Sequence, residues 1–221
     1  MKDLRQKFGT DWKLCVIVGG EADPYQTAET ALREGARLIQ YRGKGKPGKA
    51  QLREASELRV LTRQYGADLV INDRPDIAML SEADGLHLGA DDLPVQAARK
   101  IMSPGRMIGA TAHTLEEARQ AEQAGADYIG FGSVFATRSK KGVPVSGVEA
   151  VEEVARKVGV PVIGIGGITP RNVREVFKGG VAGVAVLASV SGSSDPAKAV
   201  RVLLKNIGEF STASGDGQAD S

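Results

Sequence analysis

Eight times between Lys13 and Lys205, a short run rich in Val, Ile and Leu is followed by a longer amphipathic stretch. That alternation is the pattern of parallel strands joined by crossover helices, and it restricts the chain to α/β architectures. The expected strands are residues 13–18, 37–42, 68–72, 85–88, 107–111, 127–131, 161–165 and 182–186, with helices that include 47–65 and 115–124. Eight strand-helix pairs in 221 residues fit a single-domain (βα)8 TIM barrel at the small end of its size range. An open doubly wound sheet usually carries fewer strands in this length, and no G-x-G-x-x-G follows the first strand. The barrel is expected over residues 13–208. Residues 1–12 are an N-terminal extension, with a short helix under the barrel as one form, and 209–221 are a tail with too little to bury to be ordered.

Glycine numbers 28, against roughly 16 at an average usage of ~7%. The surplus is expected in turns. Joints such as Glu34-Gly35-Ala36, Ala83-Asp84-Gly85 and Ala124-Gly125-Ala126 place a glycine where a helix reverses into the next strand. A formal charge of +2 is too small to make nucleic acid the leading partner, so anion binding must be local. One cysteine, Cys15, and two histidines, His87 and His113, exclude a disulfide framework and the multi-cysteine metal sites, and disfavour a histidine-rich one. No apolar run approaches the ~18 residues of a membrane span, and the first residues, MKDLRQKFGTDWK, lack the apolar centre of a secretory signal. The expectation is a cytoplasmic protein acting on small molecules, without nucleic acid or membrane, and with a homo-oligomer left open.

In such a barrel the C-terminal strand ends and the loops after them converge on one face. Strand two leads out through Gln40, Arg42 and Lys44, strand three ends in Asn72-Asp73, and strand four is followed by Asp91-Asp92. Asp73 and Asp92 can share one hard cation while leaving positions for water and phosphate, which suits magnesium. Asp91 is an alternative to Asp92, and plain helix capping is an alternative to both. Arg42, Lys44 and Lys140 add positive charge beyond what a monophosphate needs, so a pyrophosphate is the better match. The segment VIGIGGITPRNV ends a strand in glycines, and Thr169 is expected to open a helix there, leaving backbone amides free to cradle a second phosphate. The small residues of GVAVLASVSG would close its other side. His113 is read as orienting its loop or starting a helix, His87 as a satisfied core or loop histidine, and Cys15 as a buried inert thiol. Trp12 and Tyr41 can stack on a heteroaromatic ring, with packing as the plainer role.

Taken together, these segments resemble the thiamine phosphate synthase family over roughly residues 13–205. QYRGK at 40–44, INDRPDIA at 71–78, DGLHLGADDLP at 84–94, GATAHT at 109–114, FGSVFATRSKKG at 131–142 and GIGGIT at 164–169 carry the resemblance. It implies a magnesium-dependent transferase of thiamine biosynthesis. The enzyme would join 4-amino-2-methyl-5-(diphosphooxymethyl)pyrimidine to a thiazole phosphate by a dissociative mechanism, releasing pyrophosphate. By the same resemblance Gln40, Arg42, Lys44, Asn72 and Lys140 hold the pyrimidine diphosphate, and Thr111 stands near the pyrimidine where the family usually has serine. Asp73 and Asp92 bind magnesium. Thr137, Ser139 and the amides of Gly167, Leu187 and Ala188 hold the thiazole phosphate, and Tyr41, Gly43 and Arg138 are counted with the substrate-binding runs that contain them. Arg42, Lys44, Lys140 and Thr111 form the expected catalytic set. Gly43 stands where the family has glutamate, and Ala188 where serine is common. The alternatives are a thiazole tautomerase of the same family, whose proton-transfer histidine would fall at Ser133, and a non-catalytic barrel that binds thiamine precursors.

Overall fold

The computed structural model describes residues 11–137 and 144–213, with side chains through Gly208. Its strands are β1 (Leu14–Gly19), β2 (Leu38–Arg42), β3 (Asp68–Asn72), β4 (Gly85–Leu88), β5 (Met107–Ala112), β6 (Tyr128–Phe131), β7 (Val162–Ile165) and β8 (Gly183–Val186). Each pairs in parallel with the next, and β8 pairs with β1 to close an eight-stranded barrel. The helices are α1 (Pro24–Arg33), α2 (Gly48–Gln64), α3 (Pro75–Leu80), α4 (Val95–Ile101), α5 (Leu115–Gln123), α6 (Gly147–Lys157), α7 (Val173–Lys178), α8 (Ala188–Ser191) and α9 (Pro196–Ala213). The last of these buries Val200, Leu203 and Ile207 at helical spacing and runs past the boundary expected at 208. Among the described residues no helix is long and apolar enough to cross a membrane.

Strand alternation divides the apolar residues into two cores. Leu14, Val16, Val18, Ile39, Leu69, Ile71 and Leu86 face the helices, whereas Cys15, Ile17, Leu38, Val70, Met107 and Ile163 fill the barrel with Trp12. Burial pushes the Cys15 thiol up to about 12, which leaves it un-ionised and inert.

Part of the glycine surplus lies inside strands, contrary to the expectation that turns absorb it. A side chain at Gly109 would collide with the Tyr128 ring, and a Cβ at Gly130 would stand 2.8 Å from His87 Cε1. These two glycines make room for two large polar rings inside a small barrel. The joints do use glycine where expected, as at Gly125 with φ 90° and Gly180 with φ 77°. The exception is the joint before β4. There Glu82 takes the left-handed conformation at φ 55°, and Gly85 is needed for space, because its Cβ would lie 3.1 Å from Met107.

Candidate active site

The C-terminal ends of β2, β3 and β4 bring the two expected metal ligands together. Asp73 follows β3 in a left-handed conformation, φ 66°, and its N–H donates to the His87 carbonyl of β4 at 2.8 Å. Asp92 folds back over its own turn so that its Oδ2 accepts the Gly89 N–H at 2.7 Å. The two carboxyls stand within hydrogen-bonding reach of each other. Burial first, then that contact and the charge of Asp92, push Asp73 up to about 6 against the opposing pull of Arg42 and Lys44. Two carboxyls close enough to share a proton are close enough to share a divalent cation. Asp91, the alternative to Asp92, lines the same cleft and is the more exposed of the two. Among the described residues no group of three or more acidic, histidine or cysteine side chains is arranged to hold a metal ion. A hard cation held by this pair would therefore keep positions for water and phosphate oxygens, as magnesium does.

Below the carboxyl pair runs a hydrogen-bonded floor. His87 Nε2 meets Thr111 Oγ1 at 2.9 Å, and its Nδ1 meets the Tyr128 hydroxyl at 3.0 Å. Gln40 hydrogen-bonds the same tyrosine hydroxyl. Burial lowers His87 to about 4, so the ring is neutral near pH 7 and its two nitrogens play opposite hydrogen-bonding roles. Asn72 donates from Nδ2 to Asp73 Oδ1. Gln40, Asn72, Thr111 and the Asp73–Asp92 pair are thus parts of one connected region spanning β2 to β6.

A second polar lining lies on β7 and β8. Gly166 and Gly167 have φ 100° and 64°, and a Cβ at Gly167 would stand 2.5 Å from the Ala136 carbonyl oxygen. Only glycine lets the chain turn this closely beneath the loop after β6. The helix expected to open at Thr169 begins instead at Val173. Asn172 Oδ1 takes the Thr169 N–H at 2.8 Å and its Nδ2 holds the Gly167 carbonyl at 3.1 Å, making residues 169–172 a side-chain-braced turn. Across from it Leu187 precedes α8, and Ala188 is exposed as its first residue.

The family model for thiamine monophosphate synthase matches residues 14–190. The chain belongs to the thiamine monophosphate synthase family. It is 45% identical over 192 residues to the thiamine-phosphate synthase of Chlorobium luteolum, covering 86% of this chain and 91% of that one. It is 47% identical over 196 residues to a bifunctional thiamine biosynthesis protein of Symbiobacterium thermophilum, covering 88% of this chain but 40% of that longer one. The solved thiamine phosphate pyrophosphorylase of Pyrococcus furiosus superposes with a TM-score of 0.87 at 41% identity, covering 94% of this chain and 99% of the other.

The structure corrects the expectation for Tyr41, explains Gly43 and bears out the plainer readings of Trp12 and His113. The Tyr41 side chain is not in the site. It lies on the helix-facing side of β2, 1% exposed, with its hydroxyl donating to Glu54 Oε2 at 2.7 Å. Strand parity requires this, because Gln40 and Arg42 on either side face inward. Gly43, the departure from glutamate, has a steric cause: a Cβ there would stand 2.6 Å from the Tyr41 hydroxyl oxygen and 2.9 Å from Gln51 Cγ. Its side of the backbone is filled by packing. Trp12 plugs the opposite end of the barrel, its indole N–H bonded to Asp68 Oδ2 at 2.8 Å. His113 serves its loop: its N–H donates to Glu117 Oε2 at 2.7 Å while Thr114 caps α5. Ser133, at the tautomerase histidine position, is buried and gives its hydroxyl to the Phe135 carbonyl at 2.7 Å. Arg138, Ser139 and Lys140 lie outside the described residues.

Sequence reasoning missed the Tyr128 floor and Ser189. The Ser189 hydroxyl, beside Ala188, is buried with no hydrogen-bond partner among the described residues. Its signal was the exchange of alanine and serine within LAS, where the family's serine is one residue earlier.

Proposed function

We propose that this protein is a cytoplasmic thiamine phosphate synthase that joins the pyrimidine methyl diphosphate to a thiazole phosphate and releases pyrophosphate. The observation that carries the reading is the Asp73–Asp92 pair with Arg42 and Lys44 within electrostatic reach. A carboxyl pair flanked by two cations suits a diphosphate bound together with a divalent metal. Magnesium, held by Asp73 and Asp92, would supply charge neutralisation to the departing pyrophosphate.

The chain's own groups account for the rest. Arg42 and Lys44, with Lys140 assigned by its motif, face the diphosphate and offset the negative charge that grows on the bridging oxygen as the carbon–oxygen bond breaks. The aminopyrimidine delocalises the methylene cation left behind. Gln40 and Thr111, fixed by Tyr128 and His87, bind the pyrimidine ring. Gly167, Leu187 and Ala188 offer backbone amides to the thiazole phosphate, with Thr137 and Ser139 from the loop after β6. Held there, the thiazole nitrogen captures the cation before water can. No side-chain nucleophile is required.

The test is turnover by the purified chain with magnesium and both phosphorylated precursors, measured as thiamine phosphate and pyrophosphate formed in equal amounts. Absence of both products would remove the synthase reading.

A further inference from the structure

One half-buried polar cluster has no part in the chemistry above. The Tyr41 hydroxyl donates to Glu54 Oε2 on α2 at 2.7 Å, and Lys46 Nζ reaches both oxygens of the same carboxylate at 2.8 and 2.7 Å. Tyr41 is 1% exposed and the Glu54 side chain 15%. Gathering these groups within an otherwise apolar layer costs desolvation, and an aliphatic residue at 41 would pack there as Ile39 does one turn of the pleat earlier.

What the cluster holds is the turn that carries Lys44. The Lys46 N–H closes that turn on the Gly43 carbonyl at 3.1 Å, and Gly45 takes φ 80° as its third residue, as in a type II turn. Gln51 Nε2 secures the Lys46 carbonyl at 2.7 Å. At the other end the backbone of Gly43 rests against the Tyr41 hydroxyl, with no space left for a Cβ. The turn is therefore gripped at both ends by a network that begins at one phenol. Between the grips stands Lys44, exposed, with its charge felt at Asp73.

We propose that Tyr41, with Glu54 and Lys46, is a positioning device for Lys44: it acts on the diphosphate subsite through that lysine without touching substrate. The inference rests on the synthase reading for the identity of the substrate.

A double-mutant cycle tests it, using wild type, Tyr41→Phe, Lys44→Ala and the double variant, with each substrate varied in turn. Tyr41→Phe is expected to raise KM for the pyrimidine diphosphate about tenfold, with KM for the thiazole phosphate and the melting temperature nearly unchanged. In the Lys44→Ala background the same substitution should add nothing. Equal effects of Tyr41→Phe in both backgrounds would overturn the proposal, as would a parallel rise in both KM values or no change at all. If Tyr41→Phe does not fold, Glu54→Gln runs the same cycle with the same two outcomes. A wild-type chain that turns over nothing would remove the synthase reading instead. Calorimetric titration of wild type and Tyr41→Phe with magnesium pyrophosphate would then decide the positioning claim, unequal affinities upholding it and equal affinities overturning it.

Discussion

The two ends of this barrel use the same residue types for opposite purposes. At the N-terminal end, Asp84 accepts from Arg59 Nη2 at 3.0 Å and from the Leu69 N–H at 2.8 Å, while Asp127 accepts from Arg99 and the Ile108 N–H, both at 2.7 Å. Each carboxylate there meets a guanidinium and closes an N–H at the start of a strand. At the C-terminal end Asp73 and Asp92 meet each other, Asp73 sits in a conformation rare for a residue with a side chain, and the Ser189 hydroxyl has no hydrogen-bond partner among the described residues. A carboxylate paired with a cation stabilises the fold. Two carboxylates paired together oppose it until something positive arrives, a difference expected of a working face.

The contrast can be broken from either end. Asp92→Ala should lower kcat/KM by about a hundredfold or more while leaving the melting temperature unchanged or raised, as steady-state kinetics beside calorimetry would read. Asp84→Ala should do the reverse. It strands Arg59 and costs about 2 kcal/mol, less than a fully buried pair because both side chains keep some solvent contact, with activity at low temperature retained. Denaturant titration separates the two.

A finer distinction comes from pH. In metal-free protein Asp73 stands near 6 against an ordinary 3.8. Between those values the folded state holds more protons than the unfolded chain, so the pair's contribution to stability falls as pH rises through the window. His87, lowered to about 4 from 6.5, contributes the opposite slope. Melting curves from pH 4 to 7 in chelator should therefore differ between wild type and Asp92→Asn, with the variant gaining most above pH 6 and added magnesium narrowing the gap.

The smallest effect is expected at Ser189. Replacing a buried hydroxyl that has no partner with alanine should leave stability within about 0.5 kcal/mol. A few-fold rise in KM for the thiazole phosphate would place that hydroxyl on the phosphate, and an unchanged KM would leave the lining to backbone amides.

Much of this was legible before the fold was known. Strand positions follow from runs such as KLCVIV and DLVIN, which fall within a residue of β1 and β3, because apolar period and turn residues are local properties. The acidic and basic residues after β2, β3 and β4 could be assigned to one face for the same reason. Other features depend on register across strands. Gly109 and Gly130 fall inside the expected strands 107–111 and 127–131, and their purpose is visible only once β4, β5 and β6 are aligned so that Tyr128 and His87 need the space. The resemblance groups Tyr41 with the substrate-binding run QYRGK, although strand parity alone sends it outward. Thr169 resembles a helix start in sequence because the turn that forms instead, with the Thr169 N–H held by Asn172 Oδ1 and Thr169 Oγ1 accepting the Arg171 N–H, is a matter of side-chain geometry.

On this account Asp73 and Asp92 together would hold the metal that the diphosphate brings. A crystal grown with pyrophosphate and with manganese in place of magnesium tests it directly by anomalous scattering. A peak bridging one oxygen from each carboxylate, at about the 2.1 Å expected for a hard octahedral ion, is the predicted result. A manganese site elsewhere in the barrel mouth, with the two carboxyls still paired with each other, would contradict it.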